Sequence, residues 1–286
     1  MTRDQQLEWE ARWSRPVAAA SIGAGLMLLV SAMIFFPKDR KGIERAPDLL
    51  LSIDQDSGAY LTSAALTAVS ALLLLGVFLY LFRAIDARGG GVPRWFVYLV
   101  IGAPIVYAFS ATIYAFQAVD IADEFASGTP IRGEAGDKRA DRISDISGAL
   151  IALQTAGTVG VAFLFVMLPL RARRVGLLTP FMGILGAISG ALVVFQLAGI
   201  SAVVQAFWLG ALGALFLGKW PGGRGPAWET GEADPWPTAA DRRAELGGQE
   251  PAGESPPATP PGEPPAEPEP IPERPASRKR KRKKKR

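Results

Sequence analysis

The chain has 286 residues, of which 49% are hydrophobic and 20% charged, and its lack of Cys and His excludes disulfides, thiol or imidazole catalysis and ordinary zinc sites. The net charge of +4 depends on nine consecutive basic residues, 278–286, and removing these nine charges leaves −5. Since 15 of the 23 prolines lie between Pro221 and Pro275, the mean hydropathy of +0.19 averages an apolar part and a polar tail. This composition is typical of a membrane protein.

Six apolar runs without charged residues are each about 20 residues long, enough to cross a hydrocarbon core about 30 Å thick. We therefore predict an all-α, polytopic membrane protein with a bundle of six transmembrane helices within residues 16–220. One helix over the last two runs would be about twice the core thickness, so we expect a tight turn at Gly199. The first run is too long for a signal peptide and is expected to remain as an anchor. The runs are 16–36, 61–82, 95–117, 147–170, 177–197 and 200–218.

Basic residues in the short connections indicate the orientation of the helices. Arginines occur before the first run, between the second and third runs, and between the fourth and fifth runs. The positive-inside rule makes this side cytoplasmic, so we expect both termini in the cytoplasm. Lys38, Arg40 and Lys41, directly after the first run, argue against this orientation.

The N-terminal segment, residues 1–15, precedes the first apolar run. Trp9 and Trp13 are four residues apart and would share one helix face. The segment is either a helix lying at the membrane interface or an ordinary aromatic belt, and we favour the belt.

Polar residues within the runs concentrate in the halves that this topology places near the outer leaflet. In the third run they recur three or four residues apart, which puts them on one helix face. Because polar side chains facing lipid are costly, these stripes should point inward. They either form interhelical hydrogen bonds, which we favour slightly, or line an outward-facing polar cavity. The candidate cavity residues are Tyr107, Ser110, Tyr114, Gln117, Gln154, Thr158, Gln196 and Gln205.

Two further patterns carry structural rather than chemical information. Small residues four apart, such as Gly186 and Gly190, predict close helix packing and leave homo-oligomerisation open. Carboxylates in the connection 118–146 alternate with basic residues and are interpreted as a solvated loop. We predict no catalytic site, no cofactor and no metal site, and therefore no enzyme.

The C-terminal part, residues 221–286, is predicted to be a disordered Pro/Glu-rich cytoplasmic tail, because it has too few aliphatic residues to bury. Its basic end is expected to contact anionic membrane lipid, worth about 1 kcal/mol per basic residue. A protein partner of the tail is also open, and nucleic acid is a less favoured partner. The candidate lipid-contacting residues are Arg278, Lys279, Arg280, Lys281, Arg282, Lys283, Lys284, Lys285 and Arg286.

Residues 219–237, with the sequence KWPGGRGPAWETGEADPWP, place three tryptophans beside prolines: Trp220, Trp228 and Trp236. This segment and the preceding helical hairpin resemble uncharacterised multi-pass membrane proteins of GC-rich Gram-positive bacteria. The resemblance implies a bacterial plasma membrane and supplies no activity. The tryptophans suit a segment lying along the lipid headgroups, and a docking motif for a partner is the alternative.

The function that follows is a non-enzymatic membrane scaffold or regulator that uses its tail to engage lipids or partners. The alternative is a transporter or receptor for a small uncharged solute, reached through the outward-facing polar cavity. Ion-coupled carriers usually place an ionisable residue within the membrane, and the six runs contain none.

Overall fold

The computed structural model describes residues 2–34, 46–129, 133–143, 147–195, 200–221 and 223–236. Over these ranges the chain forms helices and no strand, which confirms the all-α prediction. The described residues belong to one compact unit, Met1–Pro237. The helices are α1 (Arg3–Ile34), α2 (Ala46–Gln55), α3 (Ser57–Ala87), α4 (Phe96–Ser127), α5 (Gly133–Ile143), α6 (Gly148–Arg174), α7 (Pro180–Phe195), α8 (Ile200–Phe216) and α9 (Pro226–Thr230).

The six apolar helices close into a ring. Each packs against its neighbours in the order α1, α3, α4, α6, α7, α8 and back to α1, while α3 also meets α6 across the middle. The short connections 88–95 and 175–179 make α3 and α4, and α6 and α7, antiparallel pairs. We call the end that carries these two connections the Arg88 end.

Four helices, α1, α3, α4 and α6, are long and apolar enough to cross a membrane. The helices α7 and α8 are also apolar but have 16 and 17 residues, or about 24–26 Å of helix. The count of six spans therefore stays a prediction. The predicted turn at Gly199 lies outside the described residues.

Several helices extend beyond the apolar runs that predict them. The N-terminal segment continues α1 without a break from Arg3, and Pro16 lies inside this helix. Within this helix Trp9 is half-buried and stacks on Tyr80 at 5.3 Å, whereas Trp13 is exposed, and the aromatic belt stays a prediction. Hydropathy marks only the apolar stretch of a helix, so it misses such polar continuations.

The connections at the opposite end form a small cap, made of α2, α5 and the last turns of α4. Apolar side chains of the three helices pack together, among them Leu50, Ile53 and Phe125. Arg139 donates hydrogen bonds to the carbonyl oxygens of Glu124 (2.7 Å) and Phe125 (2.8 Å). The region interpreted as a solvated loop is therefore partly helical and packed.

Candidate functional site

A cavity of about 230 Å³ lies inside the ring and is lined by residues of all six apolar helices, and we call it the central cavity. Three of the predicted cavity residues, Tyr107, Thr158 and Gln205, line it. The side-chain amide of the buried Gln205 makes no hydrogen bond to another described residue, so it is available to whatever fills the space.

Three hydroxyl groups of the central cavity, those of Thr67, Ser70 and Thr158, are already bonded to the helices. The Ser70 hydroxyl donates to the carbonyl oxygen of Ala24 at 2.9 Å, and the Thr158 hydroxyl donates to that of Gln154 at 2.8 Å. Water occupies roughly 30 Å³ per molecule in the liquid, so the cavity has room for several waters. Its volume falls below the range of about 300–1,000 Å³ that is typical of ligand pockets.

A second space of about 390 Å³ lies beneath the cap, between α2, α4 and α6, and we call it the cap pocket. Apolar side chains make up most of its lining, together with Tyr60, Tyr114, Gln154 and Thr155. The Gln154 Oε1 atom is buried and has no hydrogen-bond partner among the described residues. An apolar pocket of this size with a few polar groups has the general character of a small-molecule site.

The predicted polar stripe is thus divided between two spaces. Tyr107 and Tyr114 are two helical turns apart on α4, about 10 Å, and reach different pockets. Ser110 between them is buried, and its hydroxyl bonds to carbonyl oxygens of its own helix. Gln117 is half-buried and lines neither space. Gln196 and the basic run 278–286 lie outside the described residues.

Other hydroxyls of the apolar helices join helices to one another, as the hydrogen-bond interpretation predicts. The Ser31 hydroxyl lies 2.9 Å from the Ser63 hydroxyl and 2.8 Å from that of Thr67, which links α1 to α3. The Ser21 hydroxyl donates to the carbonyl oxygen of Leu209 at 2.7 Å, which links α1 to α8. Polar side chains therefore join α1 to its neighbours, and two of them, Thr67 and Ser70, also line the central cavity.

The residues after α8 pack against the Arg88 end of the bundle, whereas the sequence predicts disorder from Pro221 onward. We call residues 224–236 the docked segment. Its Trp228 is 7% exposed, stacks with Tyr80 at 5.7 Å and donates its indole N–H to the carbonyl oxygen of Leu177 at 2.9 Å. Burial of a large aromatic surface offsets the entropy of ordering a short segment with few aliphatic residues.

Gly176 allows the docked segment to approach the connection between α6 and α7. Its φ of 83° is favourable for glycine, and a Cβ there would lie within 1.7 Å of the carbonyl oxygen of Asp234. The Asp234 amide donates to the carbonyl oxygen of Val175 at 3.2 Å. Only a residue without a side chain fits between the two backbones.

Arg88 connects the docked segment to the bundle. Its guanidinium forms a bidentate pair with the Glu10 carboxylate, at 2.6 and 2.9 Å, and the two side chains are 0% and 4% exposed. The remaining donors reach the carbonyl oxygens of Ala84 (2.8 Å) and Ala227 (2.8 and 3.0 Å). All five N–H donors of the guanidinium are thereby used, and α1, α3 and α9 meet at one side chain.

The sequence identifies neither Glu10 nor Arg88 as part of a site, because they are 78 residues apart. One signal does exist along α1: Gln6, Glu10, Ser14 and Ser21 are all buried and continue a single helix face. A carboxylate on a face that leads into a transmembrane helix predicts a buried cationic partner.

We found no family model, no curated protein and no solved structure that matches this chain. The resemblance to multi-pass proteins of Gram-positive bacteria accordingly stays a prediction.

Proposed function

We propose that the protein is a multi-pass plasma-membrane protein of a bacterium, with six spans and the Arg88 end in the cytoplasm, that acts as a non-enzymatic scaffold. The observation that supports this proposal is that the docked segment packs against the bundle. The Arg88–Glu10 pair and Trp228 hold it on the bundle, so the chain that follows begins from a fixed point. A scaffold needs such a rigid origin for its polar tail.

The position of the basic run suits contact with the same membrane. It begins 42 residues after Trp236, and an extended chain covers at most about 3.5 Å per residue, so its start stays within about 150 Å of Trp236. Anionic lipid is the polyanion nearest to that point, and it attracts each basic residue by about 1 kcal/mol. We therefore assign lipid as the first partner of residues 278–286, ahead of a protein partner or nucleic acid.

A vesicle-capture assay tests this assignment. The full-length chain is held in discs of zwitterionic lipid and mixed with anionic vesicles. We expect it to capture the vesicles at low salt and to release most of them at several-fold higher salt, because the Debye length falls from about 10 Å at 0.1 M to about 3 Å at 1 M. A chain that ends at Ser277 serves as the control and should not capture them. Equal capture by both chains would refute the role of the basic run, and tighter binding to nucleic acid at matched salt would replace lipid as its partner.

The orientation is tested separately, because the native chain has no Cys. Ser127, at the end of α4, should react as Ser127→Cys with an impermeant thiol reagent in intact cells, and Ser255→Cys should be protected. The reverse pattern would invert the topology without affecting the proposed scaffold.

A second candidate function, a receptor or transporter for a small uncharged solute, is favoured by the buried, unpaired Oε1 atom of Gln154 in the cap pocket and by the Gln205 amide that lines the central cavity. If the central cavity connects to the outside, Thr158→Cys should react with a small polar thiol reagent, whereas the buried Ser110→Cys should not. Protection of both would remove the access route that a transporter needs.

A further inference from the structure

A basic pocket of about 630 Å³ opens at the Arg88 end, beside α1 and the end of α8. It is separate from the central cavity and the cap pocket, and none of the described residues that line it is acidic. We call it the arginine pocket. Its lining includes Arg12, Ser14, Arg15, Phe216, Leu217 and Arg224.

The three arginines of this pocket have no acidic partner in the described part of the chain. Arg12 and Arg15 are exposed and lie three residues apart on α1, so they project from the same side of the helix. Arg224 is half-buried and donates to the carbonyl oxygen of Phe216 at the end of α8. The ion pairs among the described residues involve other cations, namely Arg3, Arg88 and Lys138. Three positive charges around one concave space attract an anion.

The arginine pocket lies at the position along α1 and α8 where polar surface gives way to apolar surface. Arg15 directly precedes the first apolar run, and Leu217 is 41% exposed just after α8. Further along the same two packed helices, Leu26 on α1 and Val203 and Phe207 on α8 are all more than half exposed. An occupant with a charged head and apolar chains therefore finds a matching surface for both parts.

We propose that the arginine pocket binds the phosphate headgroup of an anionic phospholipid from the leaflet at the Arg88 end. Arginine pairs with phosphate oxygens through its planar fork of donors, and basic pockets between membrane helices are suited to anionic headgroups. The exposed apolar side chains of α1 and α8 favour a lipid over free phosphate, which would leave them unused. The proposal requires the membrane insertion proposed above but not the lipid contact of residues 278–286.

The test measures lipid binding to the full-length chain in a neutral detergent by native mass spectrometry. The chain is titrated with phosphatidylglycerol, with phosphatidylcholine of the same acyl chains, and with inorganic phosphate. The variant R12Q/R15Q removes two charges from the pocket and leaves Arg224 in place at the end of α8. The control R94Q/R174Q removes two exposed arginines from the same end outside the pocket.

We expect R12Q/R15Q to weaken phosphatidylglycerol binding about 25-fold, which is about fivefold for each arginine. The control should change it less than threefold, and phosphatidylcholine should bind weakly to every variant. Equal losses in R12Q/R15Q and R94Q/R174Q would overturn the proposal, since binding would then depend on total charge. If inorganic phosphate binds the unaltered chain about as tightly as phosphatidylglycerol does, and R12Q/R15Q loses both, the pocket would be assigned to a free anion instead.

Repeating the titration on the chain that ends at Ser277, and comparing it with the full-length chain, separates this site from the basic run. If the truncated chain keeps the 25-fold difference between R12Q/R15Q and the control, the pocket binds lipid by itself. Loss of that difference on truncation would overturn the pocket and assign all lipid binding to residues 278–286.

Discussion

Replacement of Arg88 by methionine is expected to destabilise the protein strongly. The substitution leaves the Glu10 carboxylate, which is 4% exposed, without its cationic partner. It also frees the carbonyl oxygen of Ala227, which accepts two hydrogen bonds from the guanidinium. Removing one member of a buried ion pair costs about 3–5 kcal/mol, because the remaining charge stays desolvated. This corresponds to a shift of the unfolding equilibrium by about two to four orders of magnitude.

A double-mutant cycle separates the ion pair from other effects of the substitution. Glu10→Met alone should be destabilising for the converse reason, since it buries an unpaired guanidinium. The double variant E10M/R88M should be more stable than either single variant, because apolar replacement of a buried pair is often neutral. Arg88→Lys should not restore stability, since an ammonium has three donors where the guanidinium uses five.

The measurement is reversible unfolding in mixed micelles with increasing denaturing detergent, followed by far-UV circular dichroism. Arg83→Met is the matched control, because Arg83 lies on α3 five residues before Arg88, is exposed and forms no ion pair with a described residue. Its guanidinium lies over the Trp9 ring at 5.5 Å, a contact worth about 0.5–1 kcal/mol at an exposed site. We expect less than about 1 kcal/mol for that control. A loss below 1 kcal/mol for Arg88→Met, or strictly additive effects of the two substitutions, would refute the argument that the pair is buried and coupled.

Two further predictions concern close packing and the docked segment. A Cβ at Gly190 would lie 2.6 Å from a carbonyl oxygen of α6, whereas one at Gly76 has no neighbour within 4 Å. Gly190→Ala should therefore cost about 1–3 kcal/mol and Gly76→Ala should stabilise by about 0.5–1 kcal/mol, measured by the same unfolding assay; equal effects would contradict the packing. Trp228→Ala should release the docked segment and cause faster proteolysis within residues 224–236, and unchanged cleavage would show that the indole does not hold it.

The existence of six apolar helices follows from the sequence, because apolar runs of about 20 residues are a strong and local signal. Their lengths do not, since α1 continues for 13 residues before the first run and α4 continues for ten residues after the third. Those extensions carry charges and are stabilised by tertiary contacts, such as the packing of Phe125 in the cap. A hydropathy average over neighbouring residues does not include tertiary contacts of this kind, so it cannot predict the extensions.

The polar stripe of α4 shows a second limit of sequence reasoning. Spacing places Tyr107, Ser110 and Tyr114 on one helix face, but which space each reaches depends on the neighbouring helices. The two tyrosines lie two turns apart and face different pockets, while the serine satisfies its hydroxyl within its own helix. Helical periodicity thus predicts a direction around the helix axis and not a shared site along it.

The docked segment is the feature that sequence composition hides most completely. In composition, residues 224–236 resemble the polar tail that follows them. Trp228 and the carbonyl oxygen of Ala227 nevertheless complete a site whose other members, Glu10 and Arg88, are far away in sequence. Ala227 accepts two hydrogen bonds from Arg88, and the Trp228 ring lies 5.4 Å from the guanidinium, so the charged pair and the ordered segment stabilise each other. Because replacing a buried ion pair by apolar residues is often neutral, we interpret this pair as fixing one arrangement, since a wrong arrangement would leave a charge unpaired. The Arg88 end is therefore built to hold a single geometry, whereas the opposite end, with its cap pocket and an unpaired Gln154 amide, retains polar groups that an incoming molecule would satisfy.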